Sequence, residues 1–249
     1  MAVSDEIKEQ TKKLKEMTFD QKADYIYTYY KWWILGALAV IFVIISTAKA
    51  VINNSKPVFL YATFLNSTAE SRGTSCTLDD EFIASENIDI SKYGCEFDYV
   101  TYLDNDYSNQ QSMGGQVKIM SRYSVEQLDI LCGPESVLNG SADVGGYTNL
   151  SEVLPDGMLD ELISKGYEPY YYTEKVYADD AECDADGNMP YTEGEKYIGG
   201  IYINNCKMLC GTDSTCVYDS EMPEKMVLAI AWNAPNLENA IEFIRFVTQ

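Results

Sequence analysis

The sequence contains no histidine, and this absence removes several kinds of chemistry. Ser-His-Asp and Cys-His catalysis, histidine-containing zinc sites and the commonest general base near neutral pH are all excluded. The glycine-rich phosphate loops and the metalloprotease and hydrolase motifs that identify common enzymes are also missing. A hydrolase that uses two carboxylates is the remaining enzymatic alternative, although an acidic chain supplies such pairs by chance. We therefore expect a protein that is not an enzyme and uses no cofactor.

Basic residues are scarce in the larger part of the chain. The first 56 residues hold 8 of the 18 basic and 6 of the 39 acidic side chains. Residues 57–249 are left with 10 basic and 33 acidic groups, a net charge of −23. Such a surface repels phosphate backbones, which excludes nucleic acid as a partner. Neutral or cationic ligands suit it better.

One long run lacks charge altogether, from Trp32 to Ala48. Extended to residue 53, it reaches the roughly 20 residues that cross a bilayer core as a helix. Aromatic residues cluster at its start, and lysines are more numerous before it than after it, which places the N-terminus in the cytoplasm. We predict an uncleaved signal anchor over residues 32–53. The alternative is a signal peptide cut after Ala50, where Ala48-Lys49-Ala50 offers the small residues that a signal peptidase needs.

This anchor divides the chain into three parts. Residues 1–31 form a cytoplasmic tail, in which Thr18 and Gln21 match a helix capping box and predict a helix in the membrane interface. Residues 54–249 form an extracytoplasmic domain, large enough for one sizeable core. The expected localisation is therefore the cell membrane of a bacterium with a single membrane, with one pass and the C-terminal domain outside.

Two patterns in the exterior part suggest disulfide bridges or a bound calcium ion. All seven cysteines lie beyond the run, where an oxidising compartment allows up to three disulfides of open connectivity. Glu182, Asp184, Asp186 and Glu193 have the spacing of a calcium-binding loop, apart from Glu in the first position. The predicted flanking strands favour the alternative, a hairpin turn at Asp186-Gly187, so no metal site is expected.

The exterior domain alternates strands and helices. Apolar runs predict strands at 57–65, 97–103 and 128–132, with helices at 80–90 and 110–123 between them. In the second helix Met113, Val117, Met120 and Tyr123 recur at helical spacing and make one apolar face. Further strands are predicted at 167–176, 196–203 and 225–232, and a last helix at 236–247. This order predicts an α/β fold with an open, mostly parallel sheet and flanking helices.

The stretch DILCGPESVLNGSADVGGYTNLSEVLP, residues 129–155, resembles a segment of type 2 extracellular solute-binding proteins. The terminal helix at 236–247 is similar to the helix that closes the same family. The resemblance covers mainly residues 57–155 and 225–249. It implies a binding module of a membrane transporter or sensor. Only residues 151–220 remain for a second lobe, which is therefore expected to be reduced.

In open α/β sheets, ligands bind beyond the carboxyl ends of the parallel strands. The residues that follow the predicted strands are therefore candidates for ligand binding: Asn66, Ser67, Thr68, Asp104, Asn105, Gly133, Glu135, Trp232 and Asn233. The leading hypothesis is capture of a small solute or peptide there. The alternative is a protein-interaction module of a cell-envelope assembly without a small ligand, which the short second lobe and the 20 tyrosines favour.

Overall fold

The computed structural model describes residues 18, 27, 31–32, 35–47, 49, 56–69, 75–106, 109–143, 145–177 and 190–249. The chain divides into two units, Met1–Lys56 and Pro57–Gln249. Residues 35–47 are helical in the first unit, and their apolar side chains are exposed. Among the residues described, no helix combines the length and the apolar character that a membrane crossing requires. The predicted span at 32–53 lies partly outside the described residues, so the anchor stays a prediction.

The described part of the second unit is an α/β fold built on one six-stranded sheet. Its strands are β1 Val58–Phe64, β2 Gly94–Asp98, β3 Ile130–Pro134, β4 Pro169–Tyr177, β5 Tyr191–Tyr202 and β6 Met226–Ile230. Its helices are α1 Leu78–Ser85, α2 Gln110–Ser124, α3 Glu135–Leu138, α4 Leu150–Val153, α5 Met158–Ser164 and α6 Leu237–Val247. The strand order across the sheet is β2-β1-β3-β6-β5-β4.

The sheet is mixed: β1 pairs in parallel with β2 and with β3, whereas β6, β5 and β4 pair antiparallel. The predicted parallel arrangement is thus confirmed for the first three strands only. The second of these strands also ends earlier than predicted. Asp98 stops it, because its carboxylate accepts hydrogen bonds from Val100 N and the Thr101 hydroxyl and so closes a turn.

The residues expected to form a reduced second lobe extend the same sheet instead. Gly200 and Tyr202 of β5 pair with Ala229 and Val227 of β6, and β4 continues the sheet beyond β5. Residues 57–249 accordingly form one compact unit. The described part of this unit therefore carries no separate lobe.

Alternation along β1 divides the core into two layers, because successive strand residues point to opposite faces of a sheet. Leu60 and Phe64 belong to a cluster with residues of α1 and α6, whereas Tyr61 and Leu65 belong to a cluster with residues of α2 and α3. Stacked and edge-on aromatic pairs join Phe64 to Phe243 of α6 and to neighbouring rings.

A fully buried carboxylate joins the sheet to the last helix. Asp129 accepts hydrogen bonds from Tyr61 N at 2.9 Å, from Asn236 N at 2.8 Å and from Asn236 Nδ2 at 3.1 Å. Burial raises the pKa of Asp129, and the three donors oppose that rise. The carboxylate therefore links the start of β3, the middle of β1 and the residue before α6.

Candidate functional site

The ends of β1, β2 and β3 bring most of the predicted binding residues to one edge of the sheet, which we call the carboxyl edge. These residues are Asn66, Ser67, Thr68, Asp104, Asn105, Gly133 and Glu135. Backbone and side-chain hydrogen bonds connect the loops that carry them, as from Asn66 N to Thr101 O and from Asn105 Nδ2 to Ser136 O. The structure therefore brings these seven residues together at one edge of the sheet.

Asn66 uses both ends of its amide inside the protein. Its Nδ2 donates to Leu103 O at 2.7 Å, and its Oδ1 accepts from Leu103 N at 2.8 Å. Its φ of 56° lies in the left-handed region, which asparagine tolerates better than most residues. Asn66 thus holds the segment after β2 against the end of β1.

The two residues that follow Asn66 bind a covering segment, residues 203–225, which connects β5 to β6. The hydroxyl groups of Ser67 and Thr68 donate to Val217 O at 3.1 and 3.3 Å. Beside them the buried Tyr218 Oη lies 3.0 Å from Leu65 O and from Cys132 O. The covering segment therefore lies over the ends of β1 and β3.

Asp104 and Asn105 organise the loop before α2. The Asp104 carboxylate accepts from Asp106 N at 3.1 Å and from Asn109 Nδ2 at 3.4 Å. Asn105 donates to Ser136 O at 3.0 Å and accepts from Ser141 N at 3.1 Å. Both side chains have internal partners, although Asn105 is exposed and Asp104 is half-buried.

The last two residues at this edge contribute packing and charge. A Cβ at Gly133 would lie 2.8 Å from Leu65 Cβ, so glycine is needed for the close approach of β3 to the end of β1. Burial raises the pKa of Tyr202 to about 12, and a hydrogen bond with the Glu135 carboxylate adds to that rise. Glu135 therefore has a partner on β5.

Trp232 and Asn233 lie at the opposite edge of the sheet, which corrects the predicted grouping. Ile230 at the end of β6 pairs with Ile130 at the start of β3, because the two strands run antiparallel. Trp232 is 57% exposed, while Asn233 Nδ2 donates to Tyr123 O at 2.9 Å. The structure does not bring these two residues to the carboxyl edge.

Helix α2 presents three of the four residues of its predicted apolar stripe to the outside, whereas the fourth, Tyr123, is buried. Met113, Val117 and Met120 are 52%, 64% and 47% exposed. An apolar face of this kind normally packs on the core. We call this surface the α2 outer face; its residues are Met113, Gly114, Val117, Met120, Ser121 and Ser124.

Small residues on the other side of α2 explain this orientation. A Cβ at Gly115 would overlap Tyr102 O, so only glycine lets the helix lie this close to the preceding segment. The buried Ser112 hydroxyl accepts from Asp104 N at 2.9 Å. Ile119 and Tyr123 then complete the buried face. The Gly114-Gly115 pair is the feature of the sequence that indicates close helix packing, although it does not show on which side of α2 the packing occurs.

Two cations flank the α2 outer face, and the helix contains no acidic residue. Lys118 Nζ lies 2.7 Å from Asp98 Oδ2. The Arg122 guanidinium lies over the Tyr61 ring, 4.3 Å from its centroid. The two cations are partly exposed, whereas Asp98 and Tyr61 are buried, and each pair holds α2 on the sheet.

The described cysteines are thiols, and the local bridges suggested by their spacing are not formed among them. Cys206, Cys210 and Cys216 each lie within hydrogen-bond distance of a different backbone carbonyl. The described residues contain no group of side chains able to hold a metal ion. Cys183 and the candidate calcium ligands Glu182, Asp184 and Asp186 lie outside the described residues, while Glu193 is an exposed residue of β5.

Comparison with known proteins gives no relative: no family model, curated protein or solved structure matches the chain. The resemblance to solute-binding proteins therefore stays an expectation that rests on residues 129–155 and 236–247. Function is inferred below from geometry, exposure and charge.

Proposed function

We propose that the chain is a membrane-anchored, extracytoplasmic protein-interaction module of a cell-envelope assembly, which acts without catalysis and without a cofactor. The observation that carries this proposal is the α2 outer face. Its apolar side chains are exposed, whereas the other side of the same helix is buried. Contiguous apolar surface of this kind is typical of sites where proteins associate.

The state of the carboxyl edge supports the same proposal. Asn66 and Asn105 bind the protein's own backbone through both ends of their amides, and Ser67 donates to the covering segment. A polar ligand there would have to replace hydrogen bonds that already satisfy these groups. The α2 outer face requires no such exchange, because its apolar side chains are exposed.

The proposed anchor remains the apolar run at 32–53, with the N-terminus in the cytoplasm. The exposed apolar side chains of the described helical residues, such as Phe42 at 72%, suit a lipid environment. Protease added to intact cells is expected to remove the exterior domain and leave a protected N-terminal fragment. A mature N-terminus at Val51 would show a released protein and contradict the anchor.

Photocrosslinking tests the interaction function. The photoreactive amino acid p-benzoylphenylalanine at position 117 of the full chain in its own membrane should give protein adducts. The matched control is position 163, where Ile163 of α5 is an apolar helix residue that is also 45% exposed. Equal yields at positions 117 and 163, or no adducts at 117 and at the neighbouring position 113, would contradict the proposal.

The second candidate is capture of a small solute or peptide at the carboxyl edge for a transporter or sensor. The gathering of the predicted residues at that edge, with the parallel order β2-β1-β3, favours it. Its two carboxylates, Asp104 and Glu135, suit a cationic or neutral ligand. Thermal-shift measurements with amino acids, sugars, polyamines and peptides should then show a response that Asp104→Asn weakens. No response in any class would exclude this candidate.

A further inference from the structure

We infer that the partner of the α2 outer face is a second copy of this chain, with the two α2 helices packed antiparallel about a two-fold axis. The inference rests on the proposed interaction function and adds the identity of the partner. Three features carry it: the spacing of the exposed apolar residues, the small residues beside them and the distribution of charge.

The exposed residues form a narrow seam. Met113, Val117, Met120 and Ser124 are separated by four, three and four positions, the spacing of the a and d positions in a coiled coil. A seam of this width fits another helix lying along it, whereas a helix that enters a broad groove carries a wider apolar face. An identical helix supplies a matching seam, as a two-fold contact requires.

Small residues beside the seam allow close approach. Among the described residues, and apart from its own turn of the helix, a Cβ at Gly114 would have no atom within 4 Å, so no contact in this part of the chain explains the glycine. Glycine there destabilises a helix by roughly 1 kcal/mol relative to alanine. The exposed Ser121 lies seven residues further along the same side. Together they leave room for a second backbone.

Charge favours a copy of the chain over a basic partner. Residues 107–125 contain no acidic residue, although residues 57–249 carry 33 acidic groups. A strongly cationic protein would be attracted to the acidic remainder of the surface. Two copies of the chain, by contrast, repel each other least where their acid-free helices meet.

The ends of α2 set the direction of the pairing. In an antiparallel pair the positive N-terminal end of each helix dipole lies beside the negative C-terminal end of the other, which is favourable. A parallel pair would set like ends of the two dipoles side by side.

The interface is expected to be weak in dilute solution. One helix from each copy buries less than the roughly 1,200 Å² found in stable complexes. Confinement of both copies to one membrane raises their effective concentration, so a weak contact suffices there. The test therefore uses the full chain in its membrane.

Two copies with different tags are expressed together, with p-benzoylphenylalanine at 117 in one of them. The expected adduct carries both tags and twice the chain's mass of 28.0 kDa. The same experiment with the photoreactive residue at position 113 controls for a local folding defect caused by the substitution at 117. From position 113 the crosslink should reach residues 117–124 of the other copy. Attachment at residue 113 of the other copy would overturn the antiparallel arrangement.

The remaining outcomes separate this inference from the proposed function. Adducts with other proteins alone would overturn the second-copy inference and leave the interaction function standing. An absence of adducts at both 113 and 117 would overturn both. Gly114→Leu should lower the yield of the two-tag adduct at least about fivefold, since its side chain has space in the single domain but blocks the approach of a second helix. An unchanged yield would contradict the close packing.

Discussion

At both the carboxyl edge and the α2 outer face, the availability of the surface differs from what the residue types suggest. The carboxyl edge is rich in Asn, Ser, Thr and Asp, yet its described polar groups largely bind the protein itself. The α2 outer face is apolar, yet it is exposed. Residue type thus indicates what a surface is able to bind. Whether the surface is still free depends on what the rest of the chain places against it.

The reason why residue type does not match the availability of the surface differs between the two regions. At the carboxyl edge the covering segment, residues 203–225, supplies carbonyl and hydroxyl partners from far along the chain, such as Val217 O and Tyr218 Oη. At α2 the reason is local, because Gly115 and Ser112 fit closely against the preceding loop and so turn the stripe outward.

The largest loss of stability is expected for a substitution of Asp129, which belongs to neither region but supports the sheet that carries both. Asp129→Ala leaves three donors without an acceptor, the buried Tyr61 N and two donors of the half-buried Asn236, and should lower the free energy of unfolding by about 4 kcal/mol. Urea unfolding of the full chain in detergent micelles measures this change. Asp213→Ala, at an exposed aspartate, serves as the control and should change stability by less than about 0.5 kcal/mol. Similar losses in the two variants would show that the buried carboxylate is not a structural link.

Asn66 tests whether the carboxyl edge is structural. Asn66→Ala should lower the free energy of unfolding by about 3 kcal/mol, because two hydrogen bonds are lost and alanine is strained at a φ of 56°. Asn66→Gly loses the same bonds without the strain, so its loss should be smaller by about 1 kcal/mol. If both variants unfold like the unsubstituted chain, the edge is free to bind a ligand.

Tyr218 tests the covering segment. Tyr218→Phe keeps the ring but removes the hydroxyl that contacts Leu65 O and Cys132 O. A loss of about 1.5 kcal/mol is expected at pH 8, since buried carbonyl groups lose a donor. Unchanged stability would mean that the covering segment does not depend on these contacts.

The same pair of proteins predicts a pH effect. Burial raises the pKa of Tyr218 well above 10, so the unfolded chain loses this proton first as the pH rises. The folded state of the unsubstituted chain is therefore destabilised above about pH 10, by roughly 1.4 kcal/mol at pH 11 from this group. Phenylalanine has no such proton, so the stability gap should nearly close at pH 11. A gap that is the same at pH 8 and pH 11 would contradict the burial of the hydroxyl.

Two helices show what the sequence predicts and what it does not predict. The spacing of Leu237, Ala240, Ile241, Ile244 and Val247 predicts an apolar stripe on α6. The last four are buried, and Leu237 is half-buried against the same cluster. The stripe of α2 has equally clear spacing, yet Met113, Val117 and Met120 face outward and only Tyr123 is buried. Spacing defines a face of a helix but does not show which neighbour packs against it. Gly115 decides that through a contact with Tyr102 O, which depends on the tertiary structure.

The strands show the same limit of prediction from the sequence. The parallel direction of β1, β2 and β3 follows from alternating strands and helices, and the strand near 225–232 is present as β6. Its antiparallel direction depends on the path of the covering segment, which no local pattern reveals. The grouping of Trp232 with Asn66 was wrong for this reason.

The exposure of the α2 outer face is tested most directly by comparing Val117→Ala with Ile119→Ala. The two residues lie two positions apart on one helix, at 64% and 0% exposure. In urea unfolding, Val117→Ala should change the free energy of unfolding by less than about 0.5 kcal/mol, whereas Ile119→Ala should lower it by about 3 kcal/mol. Comparable losses for the two variants, or a larger loss for Val117→Ala, would show that the stripe is part of the core and would contradict the account.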